Sequence, residues 1–564
     1  MKTFFRLSVV VILLVFLASC HHPNTQGRYI PADAPFAMLT YGKSLSSKLS
    51  WDDIKQNPLL QQALADSTIP ANIRAILNNP GNSGIDLDAN MIWFFEKDSV
   101  GSYLSFEGNI KDTTLFEKFI IQVDNSGSES EKGGVTFISK YPSCIGWDKD
   151  KFICVVDVPQ FSQFNSYLQH LQNNPATNVP HNRDIGATCE ALFNLDESAS
   201  LAKNDKFTKL VSETGDIHFW VNSQELYSGA LSASPVLSML NMDDIYKDNF
   251  YTGTVNFDNG KISFITKNYM NDKIAGLYKN YMTGKISDEM IQRIPGKVLN
   301  GVFAVNFKPE GIRDFLKLFN LDGAANGALK QFNLSIDDIV SAFKGDFVFG
   351  ATDFNIKTDS ATGQNEDGTS YTYPKTKAAG NFVFAASIND KDEFNKVFSA
   401  IKTATGLGMQ PDTAVSYDNN GSFFVVSNSP KTTAGYLAGA SNNFDIVSKI
   451  DDQPMAMYAN IQSFLKGAQT ELTKDSVSQM VYDASIKMWN NFYWKGGALD
   501  DNVASGSAEI NLVDSSTNSL KQLNQYIITI STIIKQQNDK EKARAAAEMS
   551  NMPVDTAALP SSNP

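Results

Sequence analysis

Apolar and polar residues alternate along many short stretches of the chain, and some of these stretches then change to helical spacing. In residues 103–120, YLSFEGNIKDTTLFEKFI, alternation as far as Ile110 predicts a strand with one buried face. Asp112 then precedes apolar residues at helical spacing, which predicts an N-capped helix. Residues 381–398, NFVFAASINDKDEFNKVF, repeat the pattern without a gap. The sequence therefore predicts a unit of strand, tight turn and helix that occurs twice.

Further similar stretches follow in the same order. IPADAPFAMLTY from Ile30 resembles IPGKVLNGVFAV from Ile294, and Asn-Phe-Tyr at 249–251 recurs at 491–493. The offsets stay between roughly 240 and 280 residues, which predicts a tandem duplication. We expect a first half at 29–290, with modules at about 29–200 and 201–290, and a second half at 291–530, with modules at about 291–445 and 446–530.

Single helices and hairpins follow the predicted strands, without sustained alternation of strand and helix. Parallel sheets need such alternation, because each crossover between parallel strands requires a long connection. The pattern therefore predicts an α+β fold, a tandem duplication of modules with antiparallel sheets and helices packed on one face. The stretch 91–95, MIWFF, is apolar on both faces, so we expect it to be buried on both sides or to line an apolar cavity.

The C-terminal region shows a helical pattern that stops abruptly. An apolar residue recurs every three or four positions at Leu520, Leu523, Ile527, Ile530 and Ile534. This spacing predicts a helix whose apolar stripe packs on the body. Beyond it the residues are charged or small, so we expect 531–564 to be a projecting helix end and a disordered tail.

The N-terminus resembles the signal and lipobox of bacterial lipoproteins. Lys2 and Arg6 precede an apolar stretch at 7–16, which ends in Leu-Ala-Ser before Cys20. The resemblance implies a lipoprotein signal peptide at 1–19, lipid on the sulfur of Cys20, and a short polar tether at 20–28. Several acyl chains anchor a protein stably, so we expect the body to stay at a membrane surface.

Composition limits the classes of function. Apolar residues make up 42% of the chain, which excludes disorder as its overall state. The formal net charge is −13, from 61 acidic and 48 basic residues. Because an acidic body repels phosphate backbones, we expect no nucleic-acid partner.

Motif searches predict no catalytic, cofactor-binding or metal-binding residue, and therefore no cofactor. The five His are scattered, and HExxH, Cys-x-x-Cys and GxSxG do not occur. A loop starting at Asp86 begins like an EF-hand but has Met91 and Lys97 where Gly and Glu are required. His218 lies in an alternating strand, IHFWV, and is predicted to face solvent.

Three cysteines follow Cys20. If a hairpin turns at 148–150, Cys144 faces Cys154 across the two strands, which permits a disulfide between them. The alternative is apolar packing, since Ala414 and Phe424 align with these two positions in the second half.

Asp followed by Ser or Thr and then a small or β-branched residue recurs along the chain. The pattern resembles the acceptor motif of the general O-glycosylation system of Bacteroidetes. Helix capping is the alternative, because Asp is a good N-cap, and both can hold at different sites. The candidate O-glycosylation residues are Ser67, Ser99, Thr113, Ser360, Thr413, Ser476 and Thr556.

Together these features resemble a Bacteroidetes lipoprotein family of unknown function, domain of unknown function 4836. The resemblance rests on the lipobox, the Ile-Pro-Ala-Asp-Ala-Pro opening at Ile30, the stretch SLSSKLSWDDI and the repeated units. It implies architecture and compartment but no active site. The acidic cluster that serves as a surface-export signal in that phylum is absent from 21–25, so we expect the periplasmic side of the outer membrane.

These observations lead to one functional expectation and two alternatives. We expect a lipid-anchored, non-enzymatic binding or scaffolding protein of the envelope, whose partner is another envelope protein or an unidentified ligand. The first alternative is a carrier of lipid or another apolar ligand in a cavity lined by Phe and Trp. The second is a hydrolase with an active site assembled from distant residues.

Overall fold

The computed structural model describes residues 26–67, 69–98, 100–123, 127–158, 183–227, 243–405, 415–439 and 442–550. The α+β class with antiparallel strands is confirmed. The strands are β1 (Phe36–Thr40), β2 (Met91–Asp98), β3 (Gly101–Asn109), β4 (Ser128–Lys132), β5 (Val135–Lys140), β6 (Ser143–Trp147), β7 (Lys151–Val158), β8 (Ile217–Asn222), β9 (Phe250–Asp258), β10 (Lys261–Tyr269), β11 (Leu299–Asn306), β12 (Phe343–Gln364), β13 (Ser370–Ile388), β14 (Ser416–Asn419), β15 (Phe423–Ser427), β16 (Met455–Ala459), β17 (Trp489–Asp500) and β18 (Val503–Leu512).

The helices of the first half lie mostly between its strands. They are α1 (Gly42–Lys48), α2 (Trp51–Ile54), α3 (Pro58–Ala65), α4 (Ala71–Asn78), α5 (Thr113–Val123), α6 (Ile185–Phe193), α7 (Asp205–Val211), α8 (Asp243–Tyr246), α9 (Asp272–Tyr281) and α10 (Asp288–Gln292). The second half contains α11 (Glu310–Leu318), α12 (Asp322–Lys330), α13 (Ile336–Ala342), α14 (Lys391–Thr405), α15 (Pro430–Leu437), α16 (Val447–Ile450), α17 (Ile461–Gly467), α18 (Gln469–Leu472), α19 (Ser476–Met488) and α20 (Ser519–Ser550).

All of these strands form one antiparallel sheet. Neighbouring strands follow the order β4-β5-β6-β7-β3-β2-β1-β8-β9-β10-β18-β17-β16-β11-β12-β13-β15-β14. The strands of the first half therefore meet those of the second half at the β10–β18 pair.

The two halves pair their strands in the same order. Met38 in β1 lies opposite Trp93 in β2 and Phe219 in β8. Phe303 in β11 likewise lies opposite Phe349 in β12 and Met457 in β16. Helix α5 follows β3 after a short turn, as α14 follows β13. This order agrees with the predicted tandem duplication, which stays a prediction.

Helices cover both faces of the sheet in the first half, where the sequence predicted one face. Ile92 and Phe94 of β2 belong to a core that includes residues of α6 and α7. Met91 and Trp93 of the same strand belong to a second core that includes residues of α4 and α5. The two-sided packing follows from β2 itself, because its first six residues are all buried.

The second half has one complete core and one partial core. On one face, Val302 and Val348 pack with residues of α10, α15 and α16. On the other face, a smaller core joins the β13 and β15 end of the sheet to α13 and α14. The part of this second face that is formed by β11, β12 and β16 is exposed to solvent at Phe303, Phe349 and Met457.

Helix α20 packs on the body by a different stripe from the predicted one. Leu520 and Ile533 are buried, whereas Ile527 and Ile534 are 48% and 51% exposed. The helix packs against α19, and the Tyr526 hydroxyl of α20 lies 2.9 Å from the Ser485 Oγ of α19. None of the helices within the described ranges is long and apolar enough to cross a membrane.

Candidate functional site

A groove of about 580 Å³ lies on the open part of the second half's sheet. We call it the aromatic groove, after its large lining residues. Four of them are strongly exposed for their type: Phe303 (39%), Phe349 (52%), Phe382 (36%) and Met457 (42%). Phe384 and Phe464 complete the apolar walls.

Strand register produces the shape of the groove. Directly opposite residues of an antiparallel pair project to the same face, so Met457, Phe303, Phe349 and Phe384 form one row across four strands. Two residues further along, the next row contains Ala459, Gly301, Ala351 and Phe382. Three of these are small, and they form a floor beside the bulky row.

Aromatic contacts build the walls. The rings of Phe349 and Phe384 lie 4.7 Å apart between centroids, and those of Phe354 and Phe464 lie 5.3 Å apart. A Cβ atom built on Gly301 would lie 3.6 Å from the Phe464 ring, so this ring packs directly against the floor. Among the described residues, the lining contains no Asp, Glu, Lys, Arg, His or Cys. The groove therefore offers apolar contact rather than acid–base chemistry.

A buried polar cluster lies in the first half, around His218. This side chain is fully buried, so the prediction that it faces solvent is wrong. The reason is that β8 lies between β1 and β9, under helical cover. Nδ1 of His218 lies 3.1 Å from the Tyr41 hydroxyl, and burial lowers the pKa of His218 to about 4. The imidazole is therefore neutral at physiological pH.

Asp216 beside it is held from several sides. Its carboxylate accepts hydrogen bonds from Ser44 Oγ at 2.5 Å, Lys48 Nζ at 2.5 Å and the Phe257 backbone N–H at 2.6 Å. These hydrogen bonds join Ser44 and Lys48 of α1 to the sheet through the Asp216 carboxylate. This cluster resembles a structural network more than a catalytic one, because neither His218 nor Asp216 is open to substrate.

A second charged cluster surrounds Arg183. Its guanidinium donates two hydrogen bonds to Asp98, at 2.5 and 2.8 Å, and one to Asp157, at 2.8 Å. Burial acts to raise the pKa of Asp98. The hydrogen bonds from Arg183 outweigh this effect and hold the pKa below its usual value. Nearby Glu96 is buried, and this burial raises its pKa to about 8. No motif predicted either cluster, because the residues are far apart in sequence.

Another groove, of about 810 Å³, lies between α2, α19 and α20. Its carboxylates are held by neighbours along the chain. Asp53 closes the capping box of α2, Asp483 accepts from Gln479 Nε2, and Asp514 accepts from the Ser516 backbone N–H. The lining within the described residues includes no Ser, His or Cys. Nothing in this groove specifically supports the hydrolase alternative.

The structure rules out the geometry on which the Cys144–Cys154 disulfide was predicted. Cys144 lies opposite Val155, whereas Cys154 lies opposite Ile145. The hairpin is shifted by one residue from the predicted register, so the two cysteines project to opposite faces of the sheet. No disulfide joins Cys144, Cys154 and Cys189 in this structure, and Cys144 and Cys189 are buried in the same core.

The candidate O-glycosylation residues fall into different environments. Ser67, Ser360 and Ser476 are exposed, whereas Thr113 is half-buried and donates to the Lys149 carbonyl at 3.1 Å. Asp112 and Asp475 cap their helices by accepting backbone N–H groups, so the capping interpretation holds at these two. Four predicted sites lie outside the described residues: Cys20, Ser99, Thr413 and Thr556.

No group of three or more potential metal ligands occurs among the His, Cys, Asp and Glu of the described segments. Fold and groove together define an α+β protein built on one long antiparallel sheet with an open apolar face. The chain belongs to the family described as Domain of unknown function (DUF4836), whose sequence model matches residues 28–379. The predicted family resemblance is thereby confirmed.

No curated protein is similar to the chain at a significant level. Among solved structures, similar chains include crystal forms IV, I and III of TP0453, with TM-scores of 0.23, 0.21 and 0.22. Their sequence identities are 10%, 9% and 9%. The matches cover 42%, 43% and 48% of this chain and 80%, 79% and 89% of those chains. TM-scores this low do not establish a common fold.

Proposed function

We propose that this protein is a lipid-anchored envelope protein that binds a protein partner through the aromatic groove. The observation that carries the proposal is the row of exposed Phe303, Phe349 and Met457 across three neighbouring strands of the sheet. Contiguous exposed apolar surface on a globular protein marks an interaction site. Aromatic residues and Met are also the types enriched where proteins contact one another.

A protein partner fits the groove better than a small apolar ligand does. Pockets for small ligands enclose about 70–90% of the ligand surface. The aromatic groove instead lies open along the sheet, and Phe349 remains 52% exposed. Full burial of a Phe or Met side chain is worth about 1.5–3 kcal/mol, so covering these half-exposed side chains would contribute roughly 1 kcal/mol each.

Membrane attachment belongs to the same proposal. We infer from the lipobox that Cys20 carries the lipid, and from the absence of an acidic cluster at 21–25 that the body faces the periplasm from the outer membrane. The tether at 20–28 spans at most about 30 Å, at ~3.3 Å per extended residue, which keeps the start of the folded body close to the membrane. Cys20→Ser should release the protein into the soluble fraction, and unchanged membrane fractionation would refute the anchor.

A photo-crosslinking amino acid at position 349 tests the groove in the intact envelope. We expect an adduct with a protein, and we expect Phe303→Asp to abolish it by placing a charge in the apolar row. Position 315 in α11 is the matched control, because Phe315 is 49% exposed but lies outside the groove. Phe303→Asp should leave any adduct at 315 unchanged.

The mass of the adduct separates the two binding hypotheses. A protein adduct at 349 that depends on Phe303 supports the proposal. A lipid-sized adduct with the same dependence supports the carrier of an apolar ligand instead, which the apolar lining also favours. An adduct that is insensitive to Phe303→Asp, or none at all, contradicts both.

Surface O-glycosylation is a further part of the proposal. Among the described residues, Ser360 is the strongest candidate for O-glycosylation. It is exposed on the arm where β12 and β13 extend beyond the rest of the sheet. Thr113 is the poorest, because it is half-buried at the start of α5. Glycopeptide mass spectrometry of protein from its host should show modification at Ser360 and none at Thr113; an unmodified Ser360 would leave the motif without support there.

A further inference from the structure

Two buried thiols from distant parts of the sequence meet in the core of the first half. Cys144 lies in β6 and is 1% exposed, and Cys189 lies in α6 and is fully buried. Both belong to one core cluster, in which α6 packs on the sheet. Cys154 lies on the opposite face, against a different core.

The register of β6 and β7 places both sulfur atoms over the same patch of sheet. Cys144 lies opposite Val155, and Gly146 lies opposite Ile153, so all four residues share one face. The Cys189 thiol donates to the Ile153 carbonyl at 3.6 Å. The Cys189 thiol therefore lies over the β6–β7 pair, at the position of Gly146 and Ile153. Cys144 is two residues from Gly146 along β6.

Local packing leaves space for this approach. A Cβ atom on Gly146 would lie 2.7 Å from the Phe137 ring and 2.8 Å from the Phe193 ring, so only glycine allows α6 to come this close. Interaction with Cys189 lowers the pKa of the Cys144 thiol, and interaction with Cys144 together with burial raises the pKa of the Cys189 thiol. A disulfide requires the two Cα atoms to lie within about 7 Å of each other and the two side chains to point toward each other.

We propose that Cys144 and Cys189 form a disulfide in the exported protein. Each thiol loses its hydrogen, and one S–S bond replaces two S–H bonds. The two electrons and two protons pass to the disulfide of a dithiol oxidase of the envelope, which becomes a dithiol. Because both thiols are buried in the folded core, the exchange occurs while the chain folds. The proposal rests on the proposed export, since disulfides persist in oxidising compartments.

The bond would tie α6 to β6 across the connection that includes residues 159–182. In the chain-entropy account, closing a loop of this length restricts the unfolded chain and so stabilises the folded state. Cys154 packs against a core that contains no other cysteine among the described residues, and burial raises its pKa to about 12. It therefore serves as the control thiol.

Trypsin separates the three cysteines cleanly. Cys144 falls in peptide 141–149, Cys154 in 152–183 and Cys189 in 184–203. The full chain should be taken from the host envelope, unfolded in an alkylating reagent without reductant, digested and analysed by mass spectrometry. We expect peptide 141–149 joined to 184–203, with Cys154 alkylated. Alkylation of all three thiols, or a link that includes Cys154, would overturn the proposal.

Refolding of the purified full chain with oxidised and reduced glutathione separates this test from the proposed export. The same link is expected there, and Cys154→Ser should not affect it. Reduction should lower the Tm by about 3 °C in the wild type and in Cys154→Ser, but not in Cys189→Ser. Free thiols after refolding would overturn the disulfide whatever the compartment. A link after refolding but not in the envelope would overturn it for the mature protein and count against export.

Discussion

The two halves of the sheet present the same row of large apolar residues in different states of burial. In the first half, Trp93 and Phe106 lie opposite each other and are 8% and 6% exposed. In the second half, Phe349 and Phe384 occupy the matching pair, and Phe349 is 52% exposed. One framework of strands therefore supports a closed core in one half and an open apolar face in the other.

The difference comes from what packs over the row. In the first half, Ile76 of α4, Phe116 of α5 and Ile138 of β5 share a core with Trp93. In the second half, Phe394 of α14 and Leu334 reach only the end of the sheet near β13 and β15. Burial of a strand residue is thus decided by elements distant in sequence. A solvent-exposed row that is retained on a stable sheet is what a binding surface requires.

The same Phe→Ala substitution should lower the free energy of unfolding much more in the buried row of the first half than in the exposed row of the second half. This is the largest effect expected. Phe106→Ala should lower the free energy of unfolding by about 3–5 kcal/mol, because it leaves a cavity in a closed core. Phe349→Ala should cost less than about 1 kcal/mol, because its side chain is half exposed. Urea denaturation of the two variants measures this; equal losses would show that the groove is covered in solution.

Helix α20 contains two adjacent isoleucines that differ in burial. Leu520 packs with Leu45 and Leu49 of the first half, and Ile533 is 6% exposed, whereas Ile534 is 51% exposed. Ile533→Asp should cost about 2–4 kcal/mol by burying an unpaired charge, and Ile534→Asp about 0.5 kcal/mol or less. Thermal unfolding followed by circular dichroism should separate them; a larger loss for Ile534→Asp would mean that the predicted stripe packs on the body.

A buried carboxyl should make the first half more sensitive to pH than the second. Glu96 in β2 corresponds to Thr352 in β12, and both are buried. Among the described residues, the Glu96 Oε1 accepts only the Lys97 backbone N–H at 2.9 Å, and Oε2 has no hydrogen-bond partner. Burial, followed by weaker repulsion from nearby carboxylates, raises the pKa of Glu96 from 4.5 to about 8.

The sign of this effect follows from proton binding. Between pH 4.5 and about 8 the folded state holds a proton that the unfolded state has lost, so stability falls as pH rises through this range. Glu96→Gln should reduce this slope, to which buried Glu107 also contributes because burial raises its pKa, and should stabilise the protein at pH 8 by roughly 1–3 kcal/mol. Denaturation midpoints at pH 5 and pH 8 measure the slope; an unchanged slope in Glu96→Gln would place the titration elsewhere.

Local patterns predicted the elements better than their partners. Alternation located β3 and β13, and Asp112 and Asp390 predicted the helices that follow, because period and capping are local properties. The turn between β6 and β7 was placed correctly, but a one-residue shift in register reversed the face of Cys154. Neither the burial of His218 nor the aromatic groove could be predicted, because each depends on which distant element covers the strand.

The smallest effect on stability is expected at the C-terminal end of α20, which belongs to none of the cores described above. From Lys535 to Ala547 all residues except half-buried Gln537 are exposed. Deleting 536–564 should therefore leave the Tm within about 2 °C of the full chain, since exposed ends tolerate truncation. The deletion removes no residue of the contact around Leu520 and Ile533, so the difference between the Ile533 and Ile534 variants should persist in the shortened chain. A fall of Tm comparable to that of Ile533→Asp would show that residues beyond 535 stabilise the contact between the halves.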